Sequence, residues 1–440
     1  MRIPRHTLLS GKATEVFDGG NVVKLLWATS VIIPALLTYF SAGHESLQNI
    51  IALMAGTVAF TMMAINLVLA TRPPWIEGAL GGLDKVYSLH RRFGICILAL
   101  ALVHTQVRFQ QLQGILPPGS LGELARDIAK PAFYTLVVLA VLSLIKRVPG
   151  LRHEIPWALW RWSHRLFGPV FLVLAIHQFL VKSPFESTDA IKQWTSAMSV
   201  VGLVAWLSTL VVPFLRRRAY VVESVDRLAG ATKVVARPKS RGIGVRPGQF
   251  VFLSAARSGL REPHPFSVSH VGPNGRIGFH IQSVGDFTRR LRESLMSGDK
   301  IGIEGGYGRF GFRRSAKRQV WLAGGIGITP FLSMAEALVF SGDKYEVVLV
   351  HAVRSRDLAL ENEVLRDLTG RSEHFSYVTH VSAEKGRLDG AALIRAVPFL
   401  IRDAELWFCG PTGLRKSLVS DLKAAGQMPR AVHFERFEFR

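Results

Sequence analysis

Before Arg216 the sequence returns six times to apolar runs of membrane-crossing length, at residues 22–41, 48–70, 90–108, 131–146, 157–181 and 194–215. No other feature restricts the fold as tightly. A hydrocarbon core about 30 Å thick requires roughly 20 apolar residues of helix. Inside lipid every backbone polar group must find its partner within the segment or its neighbours. Residues 1–215 are therefore expected to form a six-helix transmembrane bundle. The shortest run, PAFYTLVVLAVLSLIK, is expected to extend backwards.

The net charge of +22 raises the possibility of nucleic acid, but the basic residues gather at alternate helix ends. Lys12 and Lys24 precede the first run, and Arg72, Lys85, Arg91 and Arg92 separate the second from the third. Lys146, Arg147, Arg152, Arg161 and Arg165 surround the fourth-to-fifth turn, and Arg216, Arg217 and Arg218 close the sixth. The intervening loops are poorer in Lys and Arg. By the positive-inside rule this is a multi-pass protein of the cell membrane with both termini cytoplasmic, and not a nucleic-acid binder. The long polar lead into the first run does not read as a cleavable signal. The two cysteines, Cys96 and Cys409, lie in different halves and predict no disulfide framework.

Two of the runs carry histidines, which are costly in lipid and usually functional there. HRRFGICILALALVH places His90 and His104 14 residues apart; HRLFGPVFLVLAIH places His164 and His177 13 apart. At about 1.5 Å per residue each pair spans about 20 Å. The third and fifth runs point the same way, so His90 should oppose His164 near the cytoplasm and His104 should oppose His177 on the far side. Neutral imidazole is an axial ligand for haem iron, and the pattern predicts two stacked b-type haems. The bland alternative is hydrogen bonding between helices; zinc would need more ligands than two per level. Fourteen residues return to within about 40° of the starting face, whereas 13 leave the rings about 140° apart. A distortion is therefore expected at Gly168-Pro169.

After Arg218 the pattern changes. AYVVESVDRL, ATKVVARP, GQFVFLSA and RIGFHIQSV alternate as strands and predict a small antiparallel β-barrel over 216–316. RQVWLAGG, YEVVLVHAV, HFSYVTHVS and AELWFCG alternate with helical stretches, as in a doubly wound α/β domain over 317–440, with RRSAKR as the linker. In WLAGGIGITPFLSMAEAL a strand runs into Gly324, Gly325 and Gly327, then Thr329 as expected N-cap and Pro330 as first helical residue. Glycines and a helix N-terminus suit a pyrophosphate; a plain tight turn is the alternative. REPHPFSVSH presents Phe266 and Ser267 as an aromatic face with a hydroxyl, and HIQSVGDFTRRL supplies Gly285, Asp286 and Thr288 for a second pyrophosphate. FCGPTG puts Cys409, Gly410 and Pro411 at a strand end, where ligands of doubly wound sheets lie.

The order HPFS, GDFT, GGIGITP and CGP resembles the ferredoxin–NADP reductase superfamily from about 218 to 440. That resemblance implies that His264, Pro265, Phe266 and Ser267 line the isoalloxazine and ribityl part of FAD. Gly285, Asp286 and Thr288 would approach its pyrophosphate. Gly324, Gly325, Gly327 and Thr329 would hold the nicotinamide dinucleotide, with Cys409 beside its ring. The terminal FERFEFR resembles an aromatic terminus that covers the flavin, with Phe437 the expected residue and Phe439 its alternate. Gln282 stands where many relatives carry arginine. In HAVRSRD, Arg354 and Arg356 suit the 2′-phosphate of NADPH, which is preferred with NADH as the alternative, or they are simply solvated.

The whole layout resembles the ferric reductase and NADPH oxidase superfamily, and the histidine spacing, LAIH and HIQSVGDFT resemble its oxidase branch. The resemblance implies electron transfer from NADPH through FAD and two haems to an acceptor across the membrane: O2 giving superoxide, or else a ferric chelate, or a protein. A membrane-anchored flavin reductase serving a protein partner is the alternative of another class. Arg91, Arg92 and Arg165 would meet haem propionates or anchor the interface, and Arg108 would reach the outer haem edge. Val170 and Phe171 would fill the gap between the levels. No calcium-binding loop is evident.

Overall fold

The computed structural model describes residues 19–42, 45–111, 119–145, 157–181, 189–313 and 316–434. The chain divides into two compact units, with the division between Phe214 and Leu215.

The first unit is helical: α1 (Gly20–Ser41), α2 (Leu47–Ala70), α3 (Leu83–Gln111), α4 (Leu121–Leu144), α5 (Trp157–Arg165), α6 (Phe167–Leu180) and α7 (Ala190–Arg216). Ser46 and Ser120 cap α2 and α4 by accepting from Asn49 N and Glu123 N. The shortest apolar run does extend backwards, because α4 begins at Leu121. Among the described residues five helices, α1 to α4 and α7, are long and apolar enough to cross a membrane. The fifth run is divided: α5 ends at Arg165, Leu166 is a turn, and α6 starts at Phe167. Pro169 has no N–H to return to the Arg165 carbonyl, so the ladder is broken where a distortion was expected. Six continuous spanning helices are therefore not what forms.

Small residues let these helices approach closely. A Cβ added at Gly168 would lie 2.0 Å from Trp206 Nε1, one at Gly202 2.3 Å from the Phe171 ring, and one at Gly56 2.6 Å from His104 Nδ1. Phe171 is wholly buried and stacks on Phe60 of α2, ring centres 5.0 Å apart. Phe40, Tyr134, Phe179, Val204 and Phe214 lie exposed on the outside, as suits lipid rather than water.

The second unit carries two sheets. The first has the antiparallel order β4 (His264–Ser267), β3 (Phe250–Ala255), β7 (Lys300–Tyr307), β1 (Arg218–Leu228), β2 (Ala231–Pro238), β6 (Ile277–Ile281), β5 (His270–Val271). Edge strands β4 and β5 do not pair with each other, so this is a curled half-barrel rather than a closed barrel. Helix α8 (Asp286–Ser294) buries Leu291 in its core.

The second sheet is parallel, in the order β10 (Phe375–Val381), β9 (Glu346–Val353), β8 (Arg318–Gly324), β11 (Glu405–Cys409), β12 (Val432–Phe434). Alternate residues of β8 feed opposite cores: Trp321 and Ala323 pack with Phe331 and Leu365, while Val320 and Leu322 pack with Leu406 and Leu418. Both faces are covered, which explains why the strands read as continuous apolar runs. Helix α9 (Thr329–Ser341) follows β8.

Candidate functional site

Four histidines of the helical unit share one device. His90 Nδ1 lies 3.2 Å from the carbonyl of Asn66, His104 Nδ1 2.8 Å from that of Ala52, and His177 Nδ1 2.9 Å from that of Ala125. A carbonyl only accepts, so in each ring Nδ1 carries the hydrogen and Nε2 keeps its lone pair. His164 Nδ1 lies 3.0 Å from Ser143 Oγ. The Ser143 hydroxyl is also 2.7 Å from the Leu139 carbonyl, to which it donates, so here too Nδ1 is the imidazole donor. This is the ligand arrangement found where a second partner orients a metal-binding imidazole.

His90 and His164 come together, with ring centres 6.0 Å apart and planes at 54°. One metal atom between two imidazoles, at about 2.0 Å per metal–nitrogen bond, requires ring centres about 6 Å apart. Trp160 stacks on His164 with ring centres 5.0 Å apart, and Phe167 meets that ring edge-on, also at 5.0 Å. The donor set and spacing thus fit a bis-histidine haem. Among the described residues no group of three or more His, Cys, Asp or Glu could hold a metal ion. Arg91, Arg92 and Arg165 are exposed, and Arg165 lies over the Trp162 ring at 4.9 Å. The side chain of Arg108 falls outside the described residues.

In the half-barrel, β4 holds His264, Pro265, Phe266 and Ser267 on an edge, paired with β3. Phe287, from the GDFT turn, joins the two motifs: its ring centre lies 3.9 Å from that of His264 and 6.1 Å from that of Phe266. Gly285 caps α8, and the Thr288 hydroxyl accepts from Val284 N and Gly285 N at 3.0 Å each. Thr288 therefore shapes the turn. Asp286 pairs with Arg289 and is exposed. Gln282 is exposed.

In the α/β domain, Gly324 ends β8, and Gly325 to Ile328 form one tight turn before α9. Thr329 is not the N-cap: Ile328 is, while Thr329 is already helical and donates its hydroxyl to Ile326 O at 2.7 Å. The extra tight turn moves the helix start by one residue and consumes that hydroxyl. Pro330 is accordingly second in the helix. β11 pairs with β8, with Cys409 opposite Ala323. A Cβ at Gly327 would lie 2.1 Å from the Cys409 carbonyl oxygen, and one at Gly410 2.9 Å from Gly324 Cα. Only glycine lets these strand ends meet. Cys409 is buried, and Pro411 stands at the N-cap position of the helix Thr412–Ala424.

Arg354 and Arg356 follow β9. Arg356 is already held by Glu384, at 2.6 Å and 2.9 Å, across the ends of β9 and β10. Phe437 and Phe439 lie outside the described residues. Phe287, Ser143, His351 and Glu361 carry no role that the sequence displays. His351 is wholly buried, 2.9 Å from Gly325 O. Glu361 joins the two sheets' domains, meeting Lys233 Nζ at 2.7 Å and His280 Nε2 at 2.9 Å; those partners hold its carboxyl down at about 2. A histidine ending the apolar run VVLVH was the one available signal.

Residues 55–175 match the family of ferric reductase like transmembrane components, 225–324 an FAD-binding domain and 321–419 an oxidoreductase NAD-binding domain. The chain is similar to the toluate 1,2-dioxygenase electron transfer component of Pseudomonas putida, with 25% identity over 43% of this chain and 58% of that one. It is also similar to a superoxide-generating NADPH oxidase heavy chain of Dictyostelium discoideum, 23% identical over 48% of this chain and 32% of that one. A ferredoxin NADP+ reductase from Neisseria gonorrhoeae, solved with FAD and NADP, matches 50% of this chain and 98% of its own at 18% identity and a TM-score of 0.41. The matches span less than two thirds of the length of the first curated relatives. With a ferric reductase-like membrane component ahead of FAD- and NAD-binding domains, the chain belongs to the ferric reductase and NADPH oxidase superfamily.

Proposed function

We propose that the chain oxidises cytosolic NADPH and passes the electrons, through FAD and two b-type haems, to an acceptor across the cell membrane. In this reading 1–215 is the di-haem domain, 216–316 the FAD domain and 317–440 the nucleotide domain, with both termini cytoplasmic. The observation that carries it is the facing pair His90 and His164, with Nδ1 hydrogen-bonded in all four membrane histidines. When bound, FAD takes a hydride and gives electrons up singly, and haem iron carries them singly.

The chain's own residues do the rest. His90 with His164, and His104 with His177, would hold haem iron through Nε2, their tautomers set by the Nδ1 hydrogen bonds to neighbouring helices. Phe266 and Phe287 provide an aromatic face for the flavin, while Ser267 offers a hydroxyl and the turn at Gly285 a pyrophosphate seat. Gly325 leaves room for the nucleotide pyrophosphate, while Gly324 and Gly327 let the turn close against Cys409 and Gly410. Cys409 and Gly410 border the place of the nicotinamide, and Phe437 covers the flavin. Arg354 takes the 2′-phosphate, joined by Arg356 once Glu384 yields it.

O2 reduced to superoxide is the preferred acceptor. One NADPH gives two electrons and one proton, so two superoxide ions form outside for each NADP+ and proton inside. Ferric-chelate reduction is the second reading. Proteoliposomes supplied with NADPH should show dye reduction that superoxide dismutase abolishes. Dismutase-insensitive reduction, together with rapid ferric-chelate reduction, would replace the first reading by the second.

A further inference from the structure

We infer that His351 is a positioning residue for the nucleotide turn: by donating Nε2–H to the carbonyl of Gly325 it fixes which way that peptide faces. The inference rests on the reading of GGIGITP as the pyrophosphate seat and deepens it. β9 lies beside β8, with His351 paired to Ala323, so the imidazole reaches the turn directly beyond the strand end. Nε2 is 2.9 Å from Gly325 O, and Nδ1 is 3.3 Å from the hydroxyl of Tyr377 on β10. The carbonyl only accepts, so Nε2 holds the hydrogen and Nδ1 receives that of Tyr377. Burial pushes His351 down to about 4, so the ring keeps one hydrogen over the range where dehydrogenases and reductases work.

Gly325 sits at φ +54°, and a Cβ built there meets nothing within 4 Å. That side of the turn is therefore open, and His351 is the side chain that reaches the Gly325 carbonyl. The far side of the turn is clamped by backbone: Gly324 and Gly327 press against Cys409, Gly410 and Pro411. A rotated Gly325 peptide would turn a carbonyl where an amide is wanted, and a carbonyl repels phosphate oxygens. No residue that contacts FAD or haem in the proposed reaction is involved.

The test compares two nucleotides on the full chain in detergent by calorimetric titration: NADP+, which carries the pyrophosphate, and adenosine 2′-monophosphate, which lacks it. In His351→Leu, NADP+ should bind about tenfold more weakly, ~1.4 kcal/mol, while adenosine 2′-monophosphate changes less than about twofold. His351→Gln, which restores a donor, should recover most of the NADP+ affinity. The KM for NADPH should rise with kcat little changed. If His351→Leu does not fold, Tyr377→Phe should still weaken NADP+ selectively, by about threefold. Equal weakening of both nucleotides, or unchanged NADP+ affinity in either variant, overturns the role. Failure of the unmodified protein to bind either nucleotide overturns the underlying reading as well.

Discussion

Histidine is used in opposite senses in the two units. In the membrane helices Nδ1 is the ring atom given to a neighbour, whether a carbonyl or Ser143. In the nucleotide domain His351 spends Nε2 on Gly325 and fills Nδ1 with Tyr377, leaving nothing over. In the proposed function the first pattern serves a ligand, and in the inferred role of His351 the second serves a clamp. Burial alone does not distinguish them; which nitrogen the backbone takes does.

The largest expected effect breaks the membrane half of this contrast. If His90 and His164 hold a haem as proposed, His90→Ala or His164→Ala removes one of its two protein ligands, and NADPH-driven reduction of the acceptor should fall about a hundredfold, the order that groups at a metal site are worth. Stopped-flow oxidation of NADPH under the acceptor checks it; a fall under threefold would make these histidines structural.

Next comes the clamp. An unfolded imidazole titrates near 6.5 and His351 at about 4, so its contribution is complete above 6.5 and is lost as pH falls towards 4. The loss is about 3 kcal/mol. Melting of the nucleotide domain in the full chain should therefore drop steeply between pH 6.5 and 4.5, and His351→Gln should flatten that slope. An unchanged slope in the variant would place the acid sensitivity elsewhere.

Glu361 offers a milder comparison, a third histidine environment in which His280 meets a carboxylate and not a carbonyl. Its support is present above the ordinary carboxyl range near 4.5 and disappears only as pH falls to about 2. Glu361→Gln at pH 7 should destabilise by about 2 kcal/mol, the worth of a charged hydrogen bond, read as a lower unfolding midpoint. The smallest effect belongs to the exposed Arg356–Glu384 pair. Glu384→Gln should raise the preference for NADPH over NADH about threefold, as exposed pairs are weak competitors; a lowered preference would remove Arg356 from the 2′-phosphate site.

The elements were legible where physics leaves a repeating mark. Span length, alternation along β1 and β2, and continuous apolar strands such as VVLV each follow from what surrounds them. The break at Leu166 showed only indirectly, through the 13-residue phase and Pro169. What orients the histidines was illegible, because the acceptors at Ala52, Asn66 and Ala125 are backbone carbonyls that every residue possesses. Thr329 misled for a related reason: a hydroxyl before a helix suits a cap, yet the tight turn at Gly325–Ile328 gave it a carbonyl to bond instead. Glu361 meets Lys233 only because two domains pack together, and no local pattern anticipates a partner 128 residues away.

In the proposed function the membrane histidines would hold two haems one above the other. Haem content per chain, with reduced-minus-oxidised spectra, should be measured on the purified full chain and on the double variant His104→Ala, His177→Ala. Two b-type haems in the first and one in the second are predicted. A chain without any bis-histidine haem signal, or a double variant that keeps the full signal, would contradict the account.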